Sequence, residues 1–240
     1  MKRILPFIII LVVLGLALGS AWYLTRSVPA TPVVNQPAQQ QSPGTPQTTP
    51  VAQASVNPGI PGADPPHTHG PANAPVQLEE FGDFECPPCG IFHPVLKQME
   101  EEFGDKIRVT FREFPLVPTH QHALLAASAA EAAGLQGKFW EMHHMLYDRQ
   151  NAWKTEFDVR PTFEGFAKEI GLDVERYKRD VGSDLVQQRI FQDGKRGHSL
   201  GVKGTPTLFM NGREVPFENI MPAANLRVVI QRELEAAGKK

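Results

Sequence analysis

The sequence predicts an α/β domain over residues 76–240, reached through an apolar amino-terminal segment and a proline-rich tether. Two observations carry the prediction. A strand pattern, a helix pattern and a second strand pattern follow one another from Val76 to Phe111. A β-hairpin signal and a last helix close the chain, with a long helical region between the halves. Twelve of the 22 prolines fall between Val28 and Pro75, and the only two cysteines, Cys86 and Cys89, stand just beyond them.

Lys2 and Arg3 precede an uncharged run from Ile4 to Thr25, whose centre, Ile8–Leu18, is aliphatic apart from Gly15. A bilayer needs about 20 apolar residues as a helix, so residues 1–27 read as a transmembrane anchor. Trp22 and Tyr23 suit the far interface, and the positive flank keeps the amino terminus inside. Gly19-Ser20-Ala21 also allows a cleaved secretory signal. Either way the remainder is exported. The expected location is a single-pass cell membrane protein with its folded domain extracytoplasmic, the alternative a secreted domain. Residues 28–75 carry one formal charge, Asp64, and no apolar periodicity. Such a segment buries too little apolar surface to fold, so it reads as a disordered linker. His67 and His69 fall within it and read as solvated linker histidines rather than a metal pair.

Val76–Phe81 reads as a buried strand with Glu80 intruding, and Cys86–Phe103 as a helix opening at the cysteines. Pro94, inside that helix, should kink it and free the Gly90 carbonyl. Ile107–Phe111 alternates in period two. Helices are expected at His122–Ala133 closed by Gly134, Lys138–Asp148, Thr162–Ile170 closed by Gly171, Asp173–Val181 and Leu185–Leu200. They form a helical insertion over about residues 117–200. Thr207–Met210 and Arg213–Pro216 flank the hairpin turn Asn211-Gly212, and Ala223–Ala237 is the final helix. With 24 basic and 26 acidic residues, the chain is no polycation built to neutralise nucleic-acid phosphates.

Cys86-Pro87-Pro88-Cys89 places two thiols at a helix amino terminus. Free N–H groups and the helix dipole stabilise a thiolate there, and the thiolate is the nucleophile of disulfide exchange. Cys86, at the tip, can meet another protein's sulfur. Cys89, one turn in, can resolve the mixed disulfide. Pro87 and Pro88 fit the first turn, where a missing N–H breaks no helical bond. They also add no charge, and Pro88 has no N–H for the thiolate, whereas Cys89 does. The competing readings are a zinc half-site, completed by two of the histidines at 93, 120, 122, 143, 144 and 198, and a structural disulfide. No histidine spacing singles out a ligand, so the reading holds no metal and no cofactor beyond the Cys86–Cys89 redox disulfide.

The stretch Ala74–Cys89, APVQLEEFGDFECPPC, resembles the active-site segment of the DsbA-like thiol–disulfide oxidoreductases. Gly201–Phe209, GVKGTPTLF, with Asn211-Gly212 after it, resembles that family's cis-proline loop and hairpin, and Gly137–His143 resembles its inserted helices. The resemblance spans about residues 74–236. It implies a thioredoxin-like fold with a helical insertion between the β-α-β half and the β-β-α half. It implies that Pro206 is the cis-proline facing the sulfurs, and that Thr205 presents backbone groups to an extended substrate chain. It implies a buried acid at Glu80 relaying a proton to or from Cys89, with Glu79 on the opposite face. Phe81, Phe84, Phe92 and Phe209 read as core around the site, and His120 and His122 as capping or surface residues. The implied partners are exported proteins with thiols or disulfides and a membrane quinone-linked oxidase as recycling partner. Reduction, isomerisation or non-catalytic peptide binding are the alternatives. No second cysteine pair and no dimerisation domain are seen, which favours a monomer.

Overall fold

The computed structural model describes residues 59–239. The anchor or signal expected over 1–27 and the linker up to residue 58 lie outside the described residues. The described chain runs β1 His67–His69, β2 Val76–Gly82, α1 Pro87–Phe103, β3 Ile107–Glu113, α2 Ala123–Gly134, α3 Phe139–Asp148, α4 Gln150–Trp153 and α5 Arg160–Glu169. It continues with α6 Val174–Val181, α7 Asp184–Leu200, β4 Thr207–Met210, β5 Arg213–Val215, α8 Phe217–Ile220 and α9 Ala223–Ala237. The sheet order is β1-β3-β2-β4-β5. β2 and β3 are parallel, as their α1 crossover requires, and the other pairs are antiparallel. This is a thioredoxin-like α/β fold with α2–α7 inserted between its halves.

Alternation along β2 divides the sheet into two faces. Val76, Leu78 and Glu80 share one face with Ile107, Val109 and Phe111 of β3, their register partners. The forward part of this face packs under Phe92, Leu96 and Met99 of α1 and under Leu226 and Ile230 of α9. Glu79 and Phe81 lie on the other face, toward α7. There Glu79 pairs with both Arg112 and Arg196, and Phe81 joins Phe114, Val202 and Phe209 in a small apolar cluster. Gly197 permits this packing, since a Cβ there would stand 2.6 Å from the Phe114 ring. At the hairpin, Asn211 and Gly212 both take positive φ, at 49° and 76°, the backbone a tight right-twisted turn needs.

The insertion closes over an alanine-rich α2. Ala126, Ala129, Ala130 and Ala133 are fully buried, and their small size admits Met142, Leu146, Trp153 and Phe163. Two helix starts carry side-chain caps: Asp173 accepts from the Arg176 N–H and Ser183 from the Val186 N–H. Short α4 and α8 had no sequence signal, because four residues are too few for a periodicity.

The expected linker ends too late. His67–His69 is a strand, pairing antiparallel with Val109–Phe111. Residues before it are held by charge as well. Asp193 on α7 accepts from the Ala63 N–H at 2.7 Å, and Arg112 donates to the Ala63 carbonyl at 2.9 Å. His67 is no solvated histidine. It stacks on Phe139 with ring centroids 3.6 Å apart and contacts buried Glu131 at 3.0 Å. Composition misses this because the arm contributes polar anchors rather than an apolar stripe.

Candidate active site

β2 ends at Gly82 and delivers a loop whose backbone is fixed from both sides. The Asp83 carbonyl accepts from the Cys86 N–H, while its buried carboxylate accepts from the Glu85 and Leu116 N–H groups and contacts His120 Nδ1 at 2.7 Å. Gln150, brought from α4, donates to the carbonyls of Phe84 and Cys86 at 2.7 and 2.9 Å. Cys86 is the N-cap of α1, Pro87 and Pro88 fill its first two positions, and Cys89 follows. The Gly90 N–H closes the first turn on the Cys86 carbonyl at 3.2 Å. Pro94 sits within α1, so the Gly90 carbonyl lacks its helical donor.

The loop before β4 supplies the facing wall. The Thr205–Pro206 peptide is cis, and the Cys86 thiol donates to the Thr205 carbonyl at 3.3 Å. Thus Cys86, Cys89, Thr205 and Pro206, distant in sequence, meet at one place. Glu80 lies in mid-sheet beneath them, opposite Phe111 and Leu208 and 2% exposed.

The two sulfurs are electrostatically unequal. Cys86 is 4% exposed and Cys89 not at all. Donation from Cys89, its thiol first and then its N–H, stabilises a Cys86 thiolate and pulls this group down to about 6, against burial. The Thr205 carbonyl favours the thiol, so the donors from Cys89 decide the balance. Burial pushes Cys89 well above the usual thiol range, and the adjoining Cys86 adds to this. Burial also lifts Glu80 to about 8, with Glu100 assisting. A charge on Glu80 raises Cys89 further, so the two groups hold protons in competition. Such an arrangement suits a nucleophile at the helix tip with a more deeply buried, protonated partner.

Several residues of the site had no sequence signal. Gln150 and Asp83 hold the loop; Gln150 lies in no motif, and Asp83 lies within the Ala74–Cys89 stretch, where nothing local marks its role. His122 stands at the N-cap of α2, as expected, but its side chain makes no cap bond, and His120 is half-buried. His120 contacts Asp83, and buried His122 contacts the Glu156 carbonyl at 2.8 Å. Tyr147 and Glu113 are buried with their hydroxyl and carboxylate oxygens lacking hydrogen-bond partners. Among the described residues, the three-ligand cluster that forms joins His93, His143 and His144 and contains neither cysteine.

A thioredoxin fold with a Cys-x-x-Cys helix tip facing a cis-proline loop defines a class of thiol–disulfide exchange proteins. The thioredoxin family model matches residues 63–231, and the chain belongs to that family. Solved structures share the fold. BdbD from Bacillus subtilis superposes with a TM-score of 0.63 at 22% identity, covering 75% of this chain and 100% of that one. A thioredoxin-like oxidoreductase from Silicibacter pomeroyi gives 0.60 at 26% identity over 72% of this chain and 94% of that one. The thiol–disulfide exchange protein α-DsbA2 from Wolbachia pipientis gives 0.59 at 24% identity over 70% and 86%.

Curated relatives bear a different name. A Na⁺/H⁺ antiporter NhaA 1 of Salinispora arenicola is 40% identical over 151 residues, covering 62% of this chain but 22% of that protein. The NhaA of Herminiimonas arsenicoxydans is 32% identical over 222 residues, covering 87% of this chain and 34% of that protein. The chain thus spans about a fifth to a third of these relatives. Among the described residues no helix is long and apolar enough to cross a membrane.

Proposed function

We propose that the chain is a membrane-tethered, extracytoplasmic thiol–disulfide oxidoreductase that oxidises dithiols of exported proteins through a Cys86–Cys89 disulfide. The observation carrying this reading is the inequality of the two sulfurs. A thiol drawn down to about 6 is a good leaving group and a stabilised product of reduction. The similarity to oxidoreductases of known structure supports the chemistry. The apolar run Ile4–Thr25 supports the tether. The antiporter names belong to proteins several times longer and supply no reaction here.

In the forward step a substrate thiolate attacks Cys86 Sγ. The Cys86–Cys89 bond breaks, and Cys89 leaves with the electron pair. Glu80, protonated below about pH 8, supplies the proton that buried Cys89 needs. A second substrate thiolate then attacks the substrate sulfur of the mixed disulfide. Cys86 leaves as thiolate, the substrate gains a disulfide, and the pair holds two electrons. A quinone-linked membrane oxidase that accepts them restores the disulfide. The substrate chain lies along the Thr205–Pro206 loop, beside a groove lined by Gly204, Thr207, Glu214 and Phe217. The active domain acts as a monomer.

One observation favours the reverse direction as a second reading. Pro88 offers the thiolate no N–H, which weakens stabilisation of the reduced pair and makes the disulfide a milder oxidant. Oxidation is tested with the oxidised full chain and a reduced dithiol peptide. The peptide should gain its disulfide, and Cys86→Ala should abolish this. Alkylation trapping in cells should find the pair mainly oxidised. A fully reduced pair in the exported compartment rejects the oxidase.

A further inference from the structure

Away from the sulfurs, three histidines face one point between α1 and the insertion. His93 lies on α1 one turn beyond Cys89, and His143 and His144 are neighbours on α3. One ring nitrogen of each lies within 4.8 Å of the other two. The rings form a nearly equilateral triangle, with centroid separations of 5.3, 5.2 and 5.3 Å. His143 is 3% exposed, and neither of its ring nitrogens has a hydrogen-bond partner. The Nδ1 of His144 is also buried and unpartnered. A buried polar group left unsatisfied is destabilising, and this pocket holds three such atoms together.

We propose that His93, His143 and His144 bind a single first-row divalent metal ion of the zinc class, with Asp148 or solvent as the fourth ligand. Imidazole nitrogens suit zinc, copper and nickel, whereas calcium and magnesium need oxygen. Three imidazoles with one open position make an ordinary tetrahedral set. Asp148, at the end of α3, has an oxygen 3.5 Å from His93 Nε2 and is largely exposed, so the fourth position is reachable from solvent. The neutral imidazole ring is the ligating form, and the buried, unpartnered nitrogens of His143 and His144 are available as ligand atoms. Lys97 opposes a cation here, while Asp148 and Glu141 offset it. Trp140, Tyr147 and Phe84 pack around the rings and restrict water. Nitrogens bound at about 2.0–2.1 Å to one ion stand roughly 3.4 Å apart, so closure needs only shifts of roughly an ångström. The bound ion would join the redox helix to the insertion.

The test uses the full chain with Cys86–Cys89 oxidised, so that neither thiolate can bind metal. Titration with Zn²⁺ should give one ion per chain and a rise in Tm. His93→Gln and His144→Gln should each weaken binding at least tenfold while retaining the wild-type circular dichroism. Ring-nitrogen NMR of the unsubstituted protein should show Zn²⁺ shifting the resonances of His93, His143 and His144. That measurement decides the matter should a variant fail to fold. Absence of stoichiometric binding, unchanged affinity in both variants, or shifts confined to other histidines would overturn the site.

Discussion

At the scale of single residues, the site is a set of protons held at unequal cost. Cys86 is drawn down to about 6 chiefly by the Cys89 thiol. Thiolate absorbance of the reduced chain should therefore titrate near pH 6, and Cys89→Ala should move the midpoint upward. A wild-type midpoint at 8.5–9 would contradict the geometry. Glu80 is the opposite case, a carboxyl raised to about 8 by burial. Its native form keeps a proton that the unfolded chain releases near 4.5. Stability contributed through this group is therefore full below about 4.5 and is lost as pH rises to about 8, by at most about 1.4 kcal/mol per pH unit. Denaturant melts of Glu80→Gln against wild type should show that slope removed. The same variant should slow exchange below pH 8 without unfolding the domain, and an unchanged pH profile would refute the relay.

At the scale of elements, α1 and β1 each make a measurable claim. The first turn of α1 contributes fewer donors than its length allows, because Pro87 and Pro88 have no N–H. Pro88→His restores a donor and adds a partial positive charge near Cys86. Equilibration with glutathione should give this variant a higher, more oxidising potential, and an equal or lower one would contradict the argument. β1 is held to the insertion through His67, which stacks on Phe139 and contacts Glu131 beside Arg189. His67→Ala removes both contacts and leaves a buried carboxylate with fewer partners. Thermal or urea unfolding should show a loss of about 1–3 kcal/mol. A loss within 0.5 kcal/mol would mean that the arm merely lies on the surface.

At the scale of the whole molecule, the sequence revealed the parts that obey a local rule. A buried apolar run marked β2, a period-two run marked β3, Asn211-Gly212 marked the hairpin, and Gly134 and Gly171 closed two of the inserted helices. Cys86, Cys89 and the Thr205–Pro206 loop stood in motifs and lie together in the fold. Long-range polar anchoring was illegible. Gln150 reaches the cysteine loop from 64 residues away, and the arm before β1 is fastened by Asp193 from 130 residues away. Such pairs leave no period and no spacing. The same holds for His93 and His143, which the packing of α1 on α3 unites. The central claim is that Cys86 accepts a substrate sulfur and Cys89 releases it. Its most direct measurement is trapping by Cys89→Ala in the full chain within cells. Mixed disulfides between Cys86 and exported proteins should accumulate, dissolve on reduction, and vanish when Cys86→Ala is added. An absence of adducts, or adducts that persist without Cys86, would contradict the account.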